Sequence, residues 1–212
     1  MSHRAPRSTI HLVRHGKVEN PMGVIYGRLP GYHLSELGKQ QARAAAERLL
    51  DARIGALWSS PMERAQETAT IINERHGLEI VTDERLTESH NSFEGVRRTW
   101  RGIVFGHPFR WWHLRNPLRP SWGETFTQVK ERMLEAIWQA AEDAGDGELV
   151  VVSHQTPVLV ARLALAKRRV PPWLAFTPCH TGSVTTLEMD ANRHLVRASY
   201  FKPPGVLQPE AD

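Results

Sequence analysis

Twice in this sequence a short apolar run stops at a histidine where the chain must turn. The first is Ile10-His11-Leu12-Val13-Arg14-His15-Gly16, and the second is Leu149-Val150-Val151-Val152-Ser153-His154. Apolar, β-branched runs of this length, bounded by polar and turn residues, read as buried strands. In an open α/β sheet, ligands sit beyond the carboxyl ends of the strands. One such histidine is as readily a loop cap, and Arg14 as readily an ion-pair partner. Two histidines at equivalent corners, with arginines beside them, point to a site.

The rest of the chain supplies the alternation that such a sheet needs. Strand one is expected at about 9–14, after an arm at 1–8. A Gly-, Pro- and Tyr-rich loop follows over 17–34 and contains Arg28. Ser35 offers the hydroxyl for a helix N-cap, and Leu37, Ala42, Ala45, Ala46 and Leu49 give that helix an apolar face. Ile54 to Trp58 reads as a strand. Ser60 and Pro61 then predict a helix over about 61–76, with Ser60 capping and Pro61 in the first position. Arg64 falls in its first turn. Leu78 to Val81 is a strand candidate. Residues 123–144 have helical spacing, ended by Gly145 and Gly147. Glu148 to Ser153 is a fully buried strand, and Pro157 opens a helix after it. Residues 183–189 and 194–200 alternate around Asp190 to Arg193 and predict a terminal hairpin. A Pro-rich tail occupies 203–212. The pattern implies one α/β domain over 1–212, with a doubly wound, mostly parallel sheet and helices on both faces.

One segment fits no single element. Residues 96–122 hold Trp100, Trp111, Trp112 and Trp122 with Arg97, Arg98, Arg101, Arg110, Arg115 and Arg119. This is an irregular insertion that packs its tryptophans, a lid over an anionic substrate, or both.

Composition removes several alternatives. With Cys179 as the one cysteine, no internal disulfide can form, which suits a reducing cytoplasm. The net charge of +4 is scattered without a like-charge block, which favours small anions and argues against nucleic acid. No apolar run approaches membrane-span length, and the run at Ile10 to Val13 is too short for a signal peptide. There is no Gly-x-x-x-x-Gly-Lys-Ser/Thr loop and no Gly-x-Gly-x-x-Gly after strand one. Cys179 lacks the arginine six residues on that a cysteine phosphatase would need. No tight metal-ligand spacing is present, and only the eleven histidines keep a metal reading open; no cofactor is expected. What remains is a pocket for a phosphate-like dianion, built from Arg14, His15, Arg64 and His154 at strand ends. Arginine supplies planar paired donors for such a group, and the helix after His154 adds backbone N–H groups.

These residues carry a resemblance. Leu12-Val13-Arg14-His15-Gly16 resembles the signature of the histidine phosphatase superfamily, the phosphoglycerate mutase-like fold. The segments 34–42 (LSELGKQQA) and 59–69 (SSPMERAQETA) are similar to two further segments of that family. Leu86-Thr87-Glu88 with Phe93-Glu94-Gly95, and Val151-Val152-Ser153-His154, match two more in the same order, so that the likeness spans roughly 9–200. The resemblance implies that His15 is the nucleophile that becomes phosphohistidine. It gives Arg14, Arg64 and His154 as the groups that bind the phosphoryl group and Glu88 as the proton donor. No metal is then required. A neutral imidazole with two arginines beside it is consistent with the nucleophile's role.

The sequence departs from the family's pattern in places. Asn20 stands five residues after the nucleophile, where the family has an Asn at six, and Gln155 replaces the Gly after the second histidine. Lys17 stands where the family often has Glu or Gln. Asn20, Arg28 and Gln155 are candidate substrate contacts. Arg28 is equally read as an exposed structural residue and Gln155 as a solvent-facing helix start. Glu124 reads as a favourable charge in a first helical turn. The expected activity is metal-independent hydrolysis of a small phosphorylated metabolite. Phosphoglycerate mutase activity is the rival inside the family, but Glu88 is followed by Ser89-His90-Asn91-Ser92 rather than the mutase pattern. A phosphate-binding module without turnover is the rival outside it. No nucleic-acid or membrane partner is expected, and a homodimer is left open.

Overall fold

A computed structural model describes residues 8–97, 99, 123–171, 174 and 177–205. The elements run β1 (Ser8–Arg14), α1 (Glu36–Arg48), β2 (Ile54–Ser59), α2 (Glu63–Asn73) and β3 (Ile80–Thr82), then a short 3-10 turn (Glu84–Leu86). They continue with α3 (Phe126–Asp143), β4 (Glu148–Ser153), α4 (Gln155–Leu165), β5 (Val184–Met189) and β6 (Leu195–Phe201). The six strands lie in the order β3-β2-β4-β1-β5-β6. The first four run parallel, and the terminal hairpin joins β1 antiparallel. The sheet is therefore mixed and mostly parallel, as the alternation implied.

Strands buried on both faces need apolar residues at nearly every position, which explains the unbroken run in β4. Leu12, Trp58, Val151 and Leu187 face a core shared with α3 and α4. Val13, Leu57, Val150 and Val184 face the opposite core, shared with α1 and α2. Helices thus cover both faces. β1 and β4 pair in parallel with Val13 opposite Val152 and Arg14 opposite Ser153, which brings the two histidine corners side by side.

Several boundaries differ from expectation, each for a local reason. Ser8 already pairs with Met189, so the arm is one residue shorter. β3 is displaced to Ile80–Thr82. α2 begins at Glu63, not 61, and its N-cap Met62 makes no side-chain cap bond. The Ser60 hydroxyl accepts from Met62 N at 3.4 Å and also lies 2.8 Å from His154 Nε2. α2 stops at Asn73, whose amide closes the turn onto both backbone groups of Leu78, at 2.6 and 2.9 Å. α4 starts at Gln155, two residues before Pro157. A proline is tolerated there because first-turn N–H groups have no partner inside the helix. α3 is capped by Thr125 in a reciprocal box with Gln128, a cap worth about 1 kcal/mol. Glu124 therefore precedes the helix rather than charging its first turn. Of the 96–122 insertion, residues 98 and 100–122 lie outside the described residues, and with them the four tryptophans. Residues 1–7 and 206–212 of the arm and tail also lie outside.

Candidate active site

The first corner is held from three sides. His15 N donates to Ser153 O at 3.0 Å, so β4 fixes where β1 ends. Gly16 N donates to Thr68 Oγ1 of α2 at 3.1 Å, and Thr68 passes its own proton to Arg64 O at 2.7 Å. Gln41 Oε1 of α1 accepts from Lys17 N at 2.8 Å, while Ser35 donates its backbone N–H and hydroxyl to Lys17 O. Gly16 and Gly38 meet without room for side chains. A Cβ on Gly16 would lie 2.3 Å from Gly38 O, and one on Gly38 would lie 2.0 Å from Lys17 O.

This frame fixes the chemistry of His15. Its Nδ1 lies 2.7 Å from Gly16 O. A carbonyl only accepts, so Nδ1 carries the proton and Nε2 carries the lone pair. His15 is 2% exposed. Burial holds its pKa well below 6.5, and the charges of Arg64 and Arg14 push in the same direction. The imidazole is thus neutral at neutral pH, with a lone pair on Nε2.

His154, at the N-cap of α4, sits beside it with ring centroids 5.1 Å apart and planes at 60°. Its pKa is also held well below 6.5, first by burial and then by His15, Arg64 and Arg14. The fully buried Arg64 donates to Gly27 O at 2.6 Å and lies over the Tyr26 ring at 4.9 Å. Tyr26 in turn stacks on Tyr32. Arg64 Nε and NH1 and His154 Nδ1 are buried without a hydrogen-bond partner among the described residues. Arg14, 7% exposed, donates to Cys179 O at 2.5 Å. Burying a guanidinium costs several kcal/mol unless an anion or good acceptors meet it. Two such cations around two neutral imidazoles make a cradle suited to a tetrahedral dianion.

Glu88 follows the 3-10 turn and is half-buried. Its Oε1 accepts from Ser89 N at 2.8 Å and from Ser89 Oγ at 3.2 Å. It lies close enough to the cradle to be among the charges acting on Arg64, whose pKa burial lowers and Tyr26, Glu88 and Glu63 raise. The structure thus gathers Arg14, His15, Arg64 and His154 and places Glu88 at their margin. The other candidates are placed differently. Both ends of the Asn20 amide bind Val24, at 2.9 and 3.1 Å, and shape the loop. Arg28 donates to Glu88 O at 2.6 Å and to Glu124 Oε2 at 3.2 Å, a structural use of the side chain. Gln155, half-buried, is the first residue of α4, directly after His154.

Beside the cradle opens a pocket of about 680 Å³, lined in part by Arg14, Lys17, Asn20, Tyr26, Arg97 and Thr181. Arg14 and Tyr26 belong to both. Residues that sequence reasoning did not single out include Gln41 and Thr68, and Ser60 was read only as a helix cap; all three lie inside the matched segments, where their spacing was the signal. Tyr26 sits in the loop over 17–34 and gave none. Among the described residues, no group of three or more His, Cys, Asp and Glu side chains is arranged to hold a metal ion. No described helix is long and apolar enough to cross a membrane.

The chain is similar to known proteins over nearly its whole length. The sequence pattern of the histidine phosphatase superfamily (branch 1) matches residues 10–200. An uncharacterized protein of Mycobacterium tuberculosis is 45% identical over 194 residues, covering 92% of this chain and 96% of that protein. Phosphoserine phosphatase 1 of Hydrogenobacter thermophilus is 29% identical over 189 residues, covering 87% and 88%. Among solved structures, the mycobacterial glucosyl-3-phosphoglycerate phosphatase superposes with a TM-score of 0.71 at 28% identity, covering 92% of this chain and 97% of that one.

Proposed function

The chain belongs to the histidine phosphatase superfamily, branch 1, and from that footing we propose that it hydrolyses a small phosphate monoester through a phosphohistidine at His15, without a metal. The observation that carries this reading is the cradle itself. His15 Nε2 holds a lone pair beside buried nitrogens of Arg64 and His154 that have no partner among the described residues. In the first step Nε2 attacks phosphorus, the N–P bond forms and the P–O bond breaks. The electron pair leaves on the ester oxygen, which takes a proton from Glu88. In the second step a water oxygen attacks phosphorus, its proton returns to Glu88, and the N–P bond breaks to release inorganic phosphate and neutral His15. The arginines stabilise charge on the equatorial oxygens throughout.

The neighbouring pocket is where the rest of the substrate lies. Lys17 and Arg97 add positive charge to its wall, opposed by Glu19. The named phosphatase relatives act on a phosphoserine or a glucosyl-3-phosphoglycerate, both of which carry a carboxylate besides the phosphate. A substrate of small size with a second anionic group suits this wall, and the single buried Cys179 suits work in a reducing cytoplasm.

The test is turnover of p-nitrophenyl phosphate and a phosphometabolite panel that pairs 3-phosphoglycerate with glycerol 3-phosphate. Hydrolysis should survive EDTA, and His15→Ala should lower kcat by roughly 10³-fold or more. Full loss with EDTA, restored by a divalent ion, overturns the metal-free route.

A further inference from the structure

The loop that carries Glu88 is hung on donors at three main-chain carbonyls. Ser153 Oγ donates to Leu86 O at 2.6 Å, Arg28 Nε donates to Glu88 O at 2.6 Å, and Arg132 NH1 donates to Arg85 O. The two arginines come from distant parts of the chain, one from the loop after β1 and one from α3. Both meet on Glu124. Arg132 grips that carboxylate with two bonds, Nε to Oε1 at 2.6 Å and NH2 to Oε2 at 2.9 Å. Arg28 NH2 reaches Oε2 at 3.2 Å. Glu124 is itself fixed. Gly123 bridges to Asn91, and a Cβ on Gly123 would lie 1.8 Å from His90 O, so the backbone before Glu124 presses on the chain just beyond Glu88.

We infer that Glu124 is a positioning residue for proton transfer, acting by clamping Arg28 and Arg132 onto the Glu88 loop. The inference rests on the phosphatase reading and on Glu88 as its acid. The physical argument is one of charge. Two guanidiniums share one carboxylate, and without its charge they repel. Arg28 is 39% exposed at its side chain and Glu124 15%, so the arginine is the partner free to swing into water. Glu88 O then loses its donor, and the carboxyl moves relative to the cradle. A misplacement of about 1 Å can cost up to 10²-fold. His15, Arg14, Arg64 and His154 hang on other elements, so phosphoryl binding is spared.

The experiment is a double-mutant cycle of Glu124→Gln and Glu88→Gln in the full chain, with kcat and KM measured on p-nitrophenyl phosphate and glycerol 3-phosphate. An alkoxide needs its proton and a nitrophenolate does not. Glu124→Gln is expected to lower kcat about tenfold or more on the alkyl ester, to change it by less than about threefold on the aryl ester, and to leave KM near its starting value. In the Glu88→Gln background the same substitution should cost almost nothing. Arg28→Lys, which cannot span Glu88 O and Glu124 together, should reproduce the pattern and replaces Glu124→Gln in the cycle if that variant does not fold. Equal losses on both esters, or losses that simply multiply with those of Glu88→Gln, overturn the clamp alone. If Glu88→Gln itself costs both esters equally, the acid assignment falls and the clamp with it. If the wild-type chain hydrolyses neither ester and no member of the phosphometabolite panel, the phosphatase reading fails.

Discussion

His15 and His154 are useful because they are buried, and the same burial ties stability to pH. Burial, the neighbouring arginines and, for His154, His15 hold both imidazoles neutral in the folded chain, with pKa values well below 6.5. Unfolded, each would titrate near 6.5. Between the folded and unfolded values the unfolded chain binds more protons, so stability falls as pH falls through this window and is fully present above it. His11 is lowered in the same direction, first by burial, and adds to the slope. We expect the Tm to drop as pH is lowered below about 6.5, and the drop to be shallower in His15→Gln/His154→Gln, with His11 supplying the remainder. Thermal melts across pH check this. An unchanged slope in the double variant would mean that the pair is not held neutral. The histidines and arginines themselves were legible in the sequence because each ends a run whose pattern is unambiguous. The partners that set their state were not. A carbonyl choosing a tautomer, as Gly16 O does for His15, leaves no trace in residue type.

At the scale of elements, the site depends on how closely α1 approaches the turn after β1. Gly38 is the contact point, with space for no side chain between it and Lys17 O. Gln41, one turn further along, holds Lys17 N. Gly38→Ala should therefore push α1 and the His15 turn apart. Overpacking of this kind costs about 1–3 kcal/mol, and here we expect kcat to fall with it. Chemical denaturation and steady-state kinetics on one preparation measure both, and a stable, fully active variant would show that the contact is slack. This explains why the segment from Leu34 to Ala42 could be recognised without being understood. Its Ser caps a helix, its Gly makes room and its Gln binds a turn, but the turn lies some twenty residues earlier. The same limit accounts for the misplaced starts of α2 and α4. Ser60 and Pro61 form a good helix-start signal, and the sequence does not reveal that His154 also meets the Ser60 hydroxyl. Arg28 read as a substrate contact or an exposed structural residue, and Glu124 as a first-turn charge, for the same reason, since their meeting depends on three segments folding together.

For the whole molecule, the alternation of strands and helices was sufficient to place both histidine corners at one edge of a parallel core, and the observed neighbours β1 and β4 do so. The order β3-β2-β4-β1-β5-β6 could not be read off local patterns, because apolar runs in parallel strands look alike whichever neighbour they take. The proposed chemistry turns on a single event, passage of the phosphoryl group through His15. The most direct test is to mix the protein with a phosphate monoester it turns over, quench in alkali, where an N–P bond survives, and map the modified peptide by mass spectrometry. The account predicts a phosphoryl group on His15 alone, formed within one turnover and absent in His15→Ala. Undiminished turnover by His15→Ala, or a phosphoryl group on another residue of the wild-type chain, would contradict it.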